Sequence, residues 1–224
     1  TPKPSSAASD VYKRQLLTRA LVEGGAKKIT YLYIEPGGYT NFSSRSLIEK
    51  RSFALSELST GYTGIPGHLL TIKPEDQLVF FLGYENQRLT QAFEAHQTMT
   101  HAHSSLIFGV PGFMAGWELN AFANNIQYIH DERMSNSIRF CAANNPESAY
   151  QTLELQRAAL SPGQRLFIAP IGTKPCGIAA AVYASVHDDG EIGILYDHPV
   201  RKADRTGAIH KWNLYTALIN TAVK

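Results

Sequence analysis

Short apolar runs punctuate the chain at Ile29 to Ile34, Leu78 to Leu82, Leu106 to Val110, Ile138 to Cys141, Leu166 to Ala169 and Ile192 to Tyr196. Most are continuous rather than alternating, as expected of strands covered on both faces. Stretches of helical length and period lie between them. Arg88 to His96 puts Leu89, Ala92 and Phe93 on one side, and Met114 to Ile129 spaces Trp117, Phe122, Ile126 and Ile129 at mixed three- and four-residue steps. Glu147 to Leu160 carries Tyr150, Leu153, Leu155 and Ala158, while Pro175 to Val186 is small and apolar, suited to close packing on a sheet. This alternation predicts an α/β protein with a mostly parallel sheet and helices on both faces.

The arrangement is that of a single Rossmann-like domain. The segment from residue 35 to 76 breaks the rhythm. It is rich in Gly, Ser, Thr and Pro, with a candidate strand at Arg51 to Leu55, and reads as a loop or hairpin excursion. Ala208 to Ala222 fits a final strand or a helix equally well.

The first fifteen residues change the reading of charge. They run TPKPSSAASDVYKRQ, and Asp10-Val11-Tyr12-Lys13-Arg14-Gln15 is what GAT GTG TAT AAG AGA CAG encodes. That string resembles a transposon-type sequencing adapter, so residues 1 to 15 are read as a non-native, unpacked segment and 16 to 224 as the domain. The domain then opens inside a helix-like run, Leu16 to Val22, with a further strand expected upstream. The whole chain has 21 Lys and Arg against 19 Asp and Glu. Setting aside Lys3, Lys13, Arg14 and Asp10 leaves it neutral, which argues against a duplex nucleic-acid surface. With 44% hydrophobic and 18% charged residues the composition is that of a globular protein, not a disordered one. No apolar stretch reaches the ~20 residues of a membrane helix. Cys141 and Cys176 form no CxxC motif and suggest a reducing, cytoplasmic setting.

Ligands of open α/β sheets bind beyond the carboxyl ends of the strands, where strand order reverses. The segments that follow the runs are therefore the candidates. They are Glu35-Pro36-Gly37-Gly38-Tyr39, Gly83-Tyr84-Glu85-Asn86, Pro111-Gly112-Phe113, Asn144-Asn145, Ile171-Gly172-Thr173-Lys174-Pro175 and Asp197-His198. Turn chemistry alone accounts for part of this enrichment. Gly172-Thr173-Lys174 is the sharpest of them. Pro175 suits the first position of a helix, whose free N–H groups and positive dipole end then face the loop. Gly172 admits a ligand to the backbone, Thr173 offers a hydroxyl and Lys174 a charge, a set that suits phosphate or another anion. It is neither a G-x-x-x-x-G-K-[ST] loop nor a G-x-G-x-x-G fingerprint.

A strand followed by Gly172-Thr173-Lys174 and a small-residue helix resembles the CRISPR-associated Rossmann-fold nucleotide-sensing domains. Tyr33-Ile34-Glu35-Pro36 and Gly83-Tyr84-Glu85 also resemble parts of uncharacterised bacterial Rossmann-like proteins, as in metagenomic sequences. The resemblance spans about Ile29 to Tyr196 at the level of architecture. It implies a loop that helps bind cyclic oligoadenylate, and a place in bacterial defence.

Other groups carry less. His96, His101 and His103 lack the ligand set of a zinc site, so no metal is expected. Ser104 and Ser105 lack a G-x-S-x-G context. Glu85 and Arg88, three apart, read as a surface pair, and Glu85 is the candidate general base if it faces the cleft. Arg201, Lys202 and Arg205 read as a solvated basic loop or an extension of an anion site, and Tyr39 and Tyr84 as candidate base-stacking rings. The leading expectation is a nucleotide- or phosphate-binding sensor, taking a small molecule, a nucleotide or a cyclic oligonucleotide at Glu35, Gly83, Tyr84, Gly112, Gly172, Thr173 and Lys174. It needs no cofactor, and a homodimer is among its assemblies. The alternatives are a phosphodiester hydrolase using the same cleft and a scaffold subunit without a small ligand.

Overall fold

The computed structural model describes residues 11–38, 56–59, 62–64, 68, 70–187, 189–197, 199–201 and 208–220. In chain order the elements are α1 (Val11–Glu23), β1 (Lys28–Pro36), β2 (Ser56–Ser59), β3 (Thr63–Gly64), β4 (Gln77–Phe81), α2 (Gln87–Ala95), β5 (Ser104–Gly109) and α3 (Trp117–Asp131). They continue with β6 (Ile138–Cys141), α4 (Pro146–Ala158), β7 (Leu166–Ala169), α5 (Lys174–Val186), β8 (Ile192–Tyr196), β9 (Pro199–Arg201) and β10 (Ile209–Leu218).

The central sheet has the order β3-β8-β7-β4-β5-β6. Five strands are parallel, and β3 joins β8 antiparallel at the edge. Leu78 of β4 pairs with Ser104 on one side and Phe167 on the other, so β4 lies at the centre. From β4 the chain steps outward to β5 and β6, returns to the other side of β4 as β7, and steps outward again to β8. Strand order therefore reverses between β4 and β7, the defining feature of a Rossmann-like sheet.

Alternation within the continuous apolar runs divides the core into two. Val79, Phe81, Ile107, Ile168 and Ile194 face one side and pack on Ala149 and Leu153 of α4 and Ala179, Ala180 and Tyr183 of α5. Leu78, Phe80, Leu106, Phe108 and Phe167 face the other side, on Leu89 and Ala92 of α2 and Ala121 and Ile129 of α3. Every position of β5 but the last, and all of β7 and β8, is buried, which is why the pattern reads as apolar without alternation. Helix α5 is buried from Pro175 to Ser185, and its alanines let α4, α1 and the sheet approach together.

The run Ile29 to Ile34, expected beside the other strands, lies outside this sheet. β1 pairs antiparallel with β10 in a separate ribbon, from Lys28 opposite Leu218 to Glu35 opposite Lys211. One face of the ribbon closes on α5 through Ile29, Ile178, Val182 and Ile219, while Leu32, Leu214 and Trp212 are exposed. An apolar run has no means of declaring which sheet it joins when both of its faces carry aliphatic or aromatic residues. Ala208 to Ala222, open between strand and helix, supplies the partner strand. Of the excursion, β2 pairs with β9 and β3 with β8; Arg51 to Leu55 lies outside the described residues.

The helix expected from Leu16 begins five residues earlier, at Val11. Residues 11 to 15 are thus helical rather than unpacked, and Arg14 donates to the Lys174 carbonyl at 3.4 Å. Gln15 is 1% exposed, and among the described residues neither of its amide atoms has a hydrogen-bond partner. An unsatisfied buried amide costs about 1–3 kcal/mol. Gln15→Leu removes that cost at similar volume and is expected to raise the melting temperature by several degrees, at about 2–4 °C per kcal/mol for a chain of this size. Thermal unfolding followed by circular dichroism checks this; a lower melting temperature would show that the amide is satisfied.

Candidate ligand-binding site

The loops after β4 and β7 flank the reversal of strand order, and they meet backbone to backbone. A Cβ on Gly172 would lie 2.5 Å from the Leu82 carbonyl oxygen and 2.9 Å from that of Phe81, and a Cβ on Gly83 would lie 3.1 Å from the Ile171 oxygen. At Gly172 no side chain fits between the two crossing chains, and at Gly83 a Cβ is tight enough that its neighbours would have to give way slightly. The Asn125 amide, on α3, donates to the Gly83 carbonyl at 2.9 Å and fixes the first loop from the other face.

A buried charge pair ties this edge together. Arg88, in the first turn of α2, donates through Nε and Nη2 to both oxygens of Asp197, the residue after β8, and through Nη1 to the Ile171 carbonyl. Tyr62 donates to the Arg88 carbonyl at 2.6 Å. Burial works to lower the pKa of Arg88, and the hydrogen bonds and charge of Asp197 outweigh it, so the guanidinium is held charged. Burial pushes the Tyr62 phenol up, keeping it a donor. The expectation that Arg88 makes a surface pair with Glu85 is thereby corrected. The residue is 5% exposed, and its side chain turns inward to a carboxylate just beyond a distant strand. Nothing local in the sequence marks that pairing.

Helix α5 starts at Lys174, with Thr173 extended at its N-cap and Pro175 one position inside. This is the strand–loop–helix junction expected of Gly172-Thr173-Lys174, at the carboxyl end of β7. Thr173 is committed to the fold: its hydroxyl oxygen lies 2.8 Å from the Ala143 carbonyl oxygen and 3.1 Å from the Cys176 sulfur. Lys174 is half-buried, with Nζ 5.7 Å from the centre of the Tyr33 ring. Phe113, beside Gly112 in the loop after β5, packs on the same Tyr33 ring at 5.8 Å. Gly112 itself faces α3, where a Cβ would meet Glu118 at 2.6 Å.

The ribbon closes this edge from outside. Glu35 is buried on its inner face and accepts from Asn213 at 3.3 Å. Tyr215 donates to the Asn144 carbonyl at 2.8 Å. Its phenol is pushed up to about 12, first by burial and then by the charges of Glu35 and Cys176. The structure thus groups Gly83, Tyr84, Gly172, Thr173 and Lys174 at one end of the sheet, with Glu35 under the adjoining ribbon and Gly112 on the next loop. Tyr84 and Glu85 are half-buried on the turn before α2. Asn145 caps α4 by accepting from the Glu147 amide, the structural reading of that asparagine.

Among the other candidates, Ser104 bonds the Thr100 carbonyl and Ser105 bonds Gln156. His101 lies 3.3 Å from Glu132 and edge-on to Phe93, and burial lowers the pKa of His96. Among the described residues no group of three or more His, Cys, Asp or Glu is placed to hold a metal ion, and no helix is long and apolar enough to cross a membrane. Tyr39, His198, Lys202 and Arg205 lie outside the described residues, and Arg201 ends β9.

These features define an α/β protein of Rossmann-like architecture. No protein-family model matches the chain, and neither a curated protein nor a solved structure matches it.

Proposed function

We propose that the chain is a binding module for a phosphate-bearing ligand of the nucleotide class, taken at the Gly172-Thr173-Lys174 loop. The observation that carries the reading is the position of this loop. It follows β7, beside the reversal of strand order, and it opens directly into α5, whose first-turn N–H groups and positive dipole end face the same edge. Lys174 supplies a charge there, with its Nζ beside the Tyr33 ring, which packs on Phe113. A cyclic oligoadenylate, with several phosphates and bases, is the ligand that the resemblance to CRISPR-associated Rossmann-fold domains suggests.

Titration calorimetry with ATP and with cyclic tetra-adenylate tests the proposal. A charge-assisted hydrogen bond from lysine to phosphate is worth about 1.5–3 kcal/mol. Lys174→Ala is therefore expected to weaken binding by roughly ten- to a hundred-fold with little change in melting temperature. Raising the salt concentration should weaken the wild type more than the variant, because the removed interaction is electrostatic. Equal affinity and equal salt dependence would leave the loop a structural turn. Chromatography of the incubated probes distinguishes binding from hydrolysis, in which Glu85 would be the residue to replace.

A further inference from the structure

The ribbon of β1 and β10 is packed on one face and bare on the other. Its inner face closes on α5 through Ile29 and ties to the loop after β6 through Tyr215. The register sets out its outer face as a ladder of four rungs: Lys28 with Leu218, Thr30 with Thr216, Leu32 with Leu214, and Ile34 with Trp212. Alternation along each strand puts these residues on one side, and every one of them is exposed. The Thr30 and Thr216 hydroxyls are hydrogen-bonded to each other at 3.2 Å, so the polar rung inside the ladder is satisfied within the chain. The five apolar side chains are between 40% and 74% exposed. Together they present roughly 600 Å² of apolar surface, at the top of what the largest patch of a monomer exposes. With the threonine methyls and the Lys28 stem, the face approaches the ~800 Å² that each partner contributes to a stable dimer.

We propose that this face is the surface through which two copies of the chain associate as a symmetric dimer. The order of the rungs points to a second copy. A two-fold axis running along the ribbon, between two such faces, lays each rung on the same rung of the other copy with its ends exchanged. Leu32 then meets the partner's Leu214, Ile34 meets the partner's Trp212, and Thr30 meets the partner's Thr216. Apolar groups lie on apolar groups, and the two hydroxyl pairs lie together. Lys28 meets the partner's Leu218 rather than a second lysine. Lys28 is the only charged residue on the rungs, so neither a strongly acidic nor a strongly basic partner is matched. A ladder of this kind also suits face-to-face sheet packing, in which strands stay within about 30° of each other and the apolar inner faces interdigitate.

The inference is independent of ligand binding and is tested without any ligand. Sedimentation velocity of the full-length chain at micromolar concentrations should show a species of twice the mass of one chain. Leu214→Lys sets a charge into the interface twice, once from each copy, and should raise the dimer dissociation constant by at least about a hundredfold. The resulting monomer should keep its circular dichroism, because Leu214 is exposed in the single chain. Leu155→Lys, which changes an equally exposed leucine on α4, should remain a dimer.

A cross-linking measurement reads the axis separately. Chains carrying Thr30→Cys are mixed with chains carrying Thr216→Cys and treated with a short bismaleimide, from which burial protects Cys141 and Cys176. The product should join one chain of each kind. The proposal fails if the wild type is a monomer throughout, whether or not it then floats with phosphatidylserine vesicles. It fails if Leu214→Lys stays dimeric, or if Phe140→Lys, an exposed position on the edge strand β6, dissociates the dimer in its place. Cross-links confined to pairs of identical chains would overturn the two-fold arrangement along the ribbon.

Discussion

Asp197→Ala is expected to destabilise the protein by about 3–5 kcal/mol, the usual cost of removing one partner from a buried ion pair. Asp197 is 0% and Arg88 5% exposed, so water cannot take over the lost contacts. The guanidinium would keep its bond to the Ile171 carbonyl, lose both bonds to the carboxylate, and remain charged in a place that burial disfavours. Because Arg88 holds the start of α2, the loop after β7 and the end of β8 at one point, the loss should loosen the whole carboxyl edge. Urea unfolding measures the effect through the midpoint at constant slope. The double replacement Arg88→Met with Asp197→Leu removes both charges and is expected to recover much of the loss, since well-packed apolar residues often substitute for a buried pair. If Asp197→Ala costs under about 1 kcal/mol, the pair is solvated and behaves like a surface contact.

Gly172→Ala is expected to cost about 1–3 kcal/mol, the range for forcing an extra carbon into a packed interior. The atoms a new Cβ would strike are main-chain atoms of Phe81 and Leu82, at 2.5 to 2.9 Å, not the flexible end of a side chain. Relief requires β4 and the loop after β7 to separate, and that displacement moves Thr173 and Lys174. Stability and affinity for a phosphate-bearing probe should therefore fall together in this variant, whereas Lys174→Ala should lower affinity alone. Gly83→Ala is the graded comparison. Its nearest contact, 3.1 Å from the Ile171 carbonyl oxygen, calls for a smaller shift and a smaller loss. Equal melting temperatures for wild type and Gly172→Ala would show that the two loops are not in contact.

Of the five parallel strands, β4, β5, β7 and β8 were legible because they are buried on both faces, so burial leaves an uninterrupted apolar run, whereas β6 at the edge exposes Arg139 and Phe140. Leu166 to Ala169 and Ile192 to Tyr196 coincide with β7 and β8 for that reason. Helices were legible as periodicity, with ends displaced by a few residues where the cap decided. α3 begins at Trp117 rather than Met114 because Gly116, at φ 86°, cannot continue a helix backwards. The junction at Gly172-Thr173-Lys174 was legible from a glycine, an N-cap threonine and an early proline. What stayed hidden was every partnership across distance. Arg88 read as a surface residue because its partner lies more than a hundred positions away. The ribbon of β1 and β10 joins the two ends of the described chain, and neither strand carries a mark of the other.

For this protein, local sequence determined most of the strands and helices and where the chain turns into α5, while the strand at Ile209–Leu218 was settled only by its pairing with β1. The local outcomes depend on propensity, capping and one-dimensional burial period, all of which are written within a few residues. Tertiary structure alone decided that Ile29 to Ile34 leaves the main sheet, that Gly172 must lack a side chain, and that Arg88 and Asp197 meet at the carboxyl edge. Those outcomes depend on which elements become neighbours, a choice made by the packing of all of them at once.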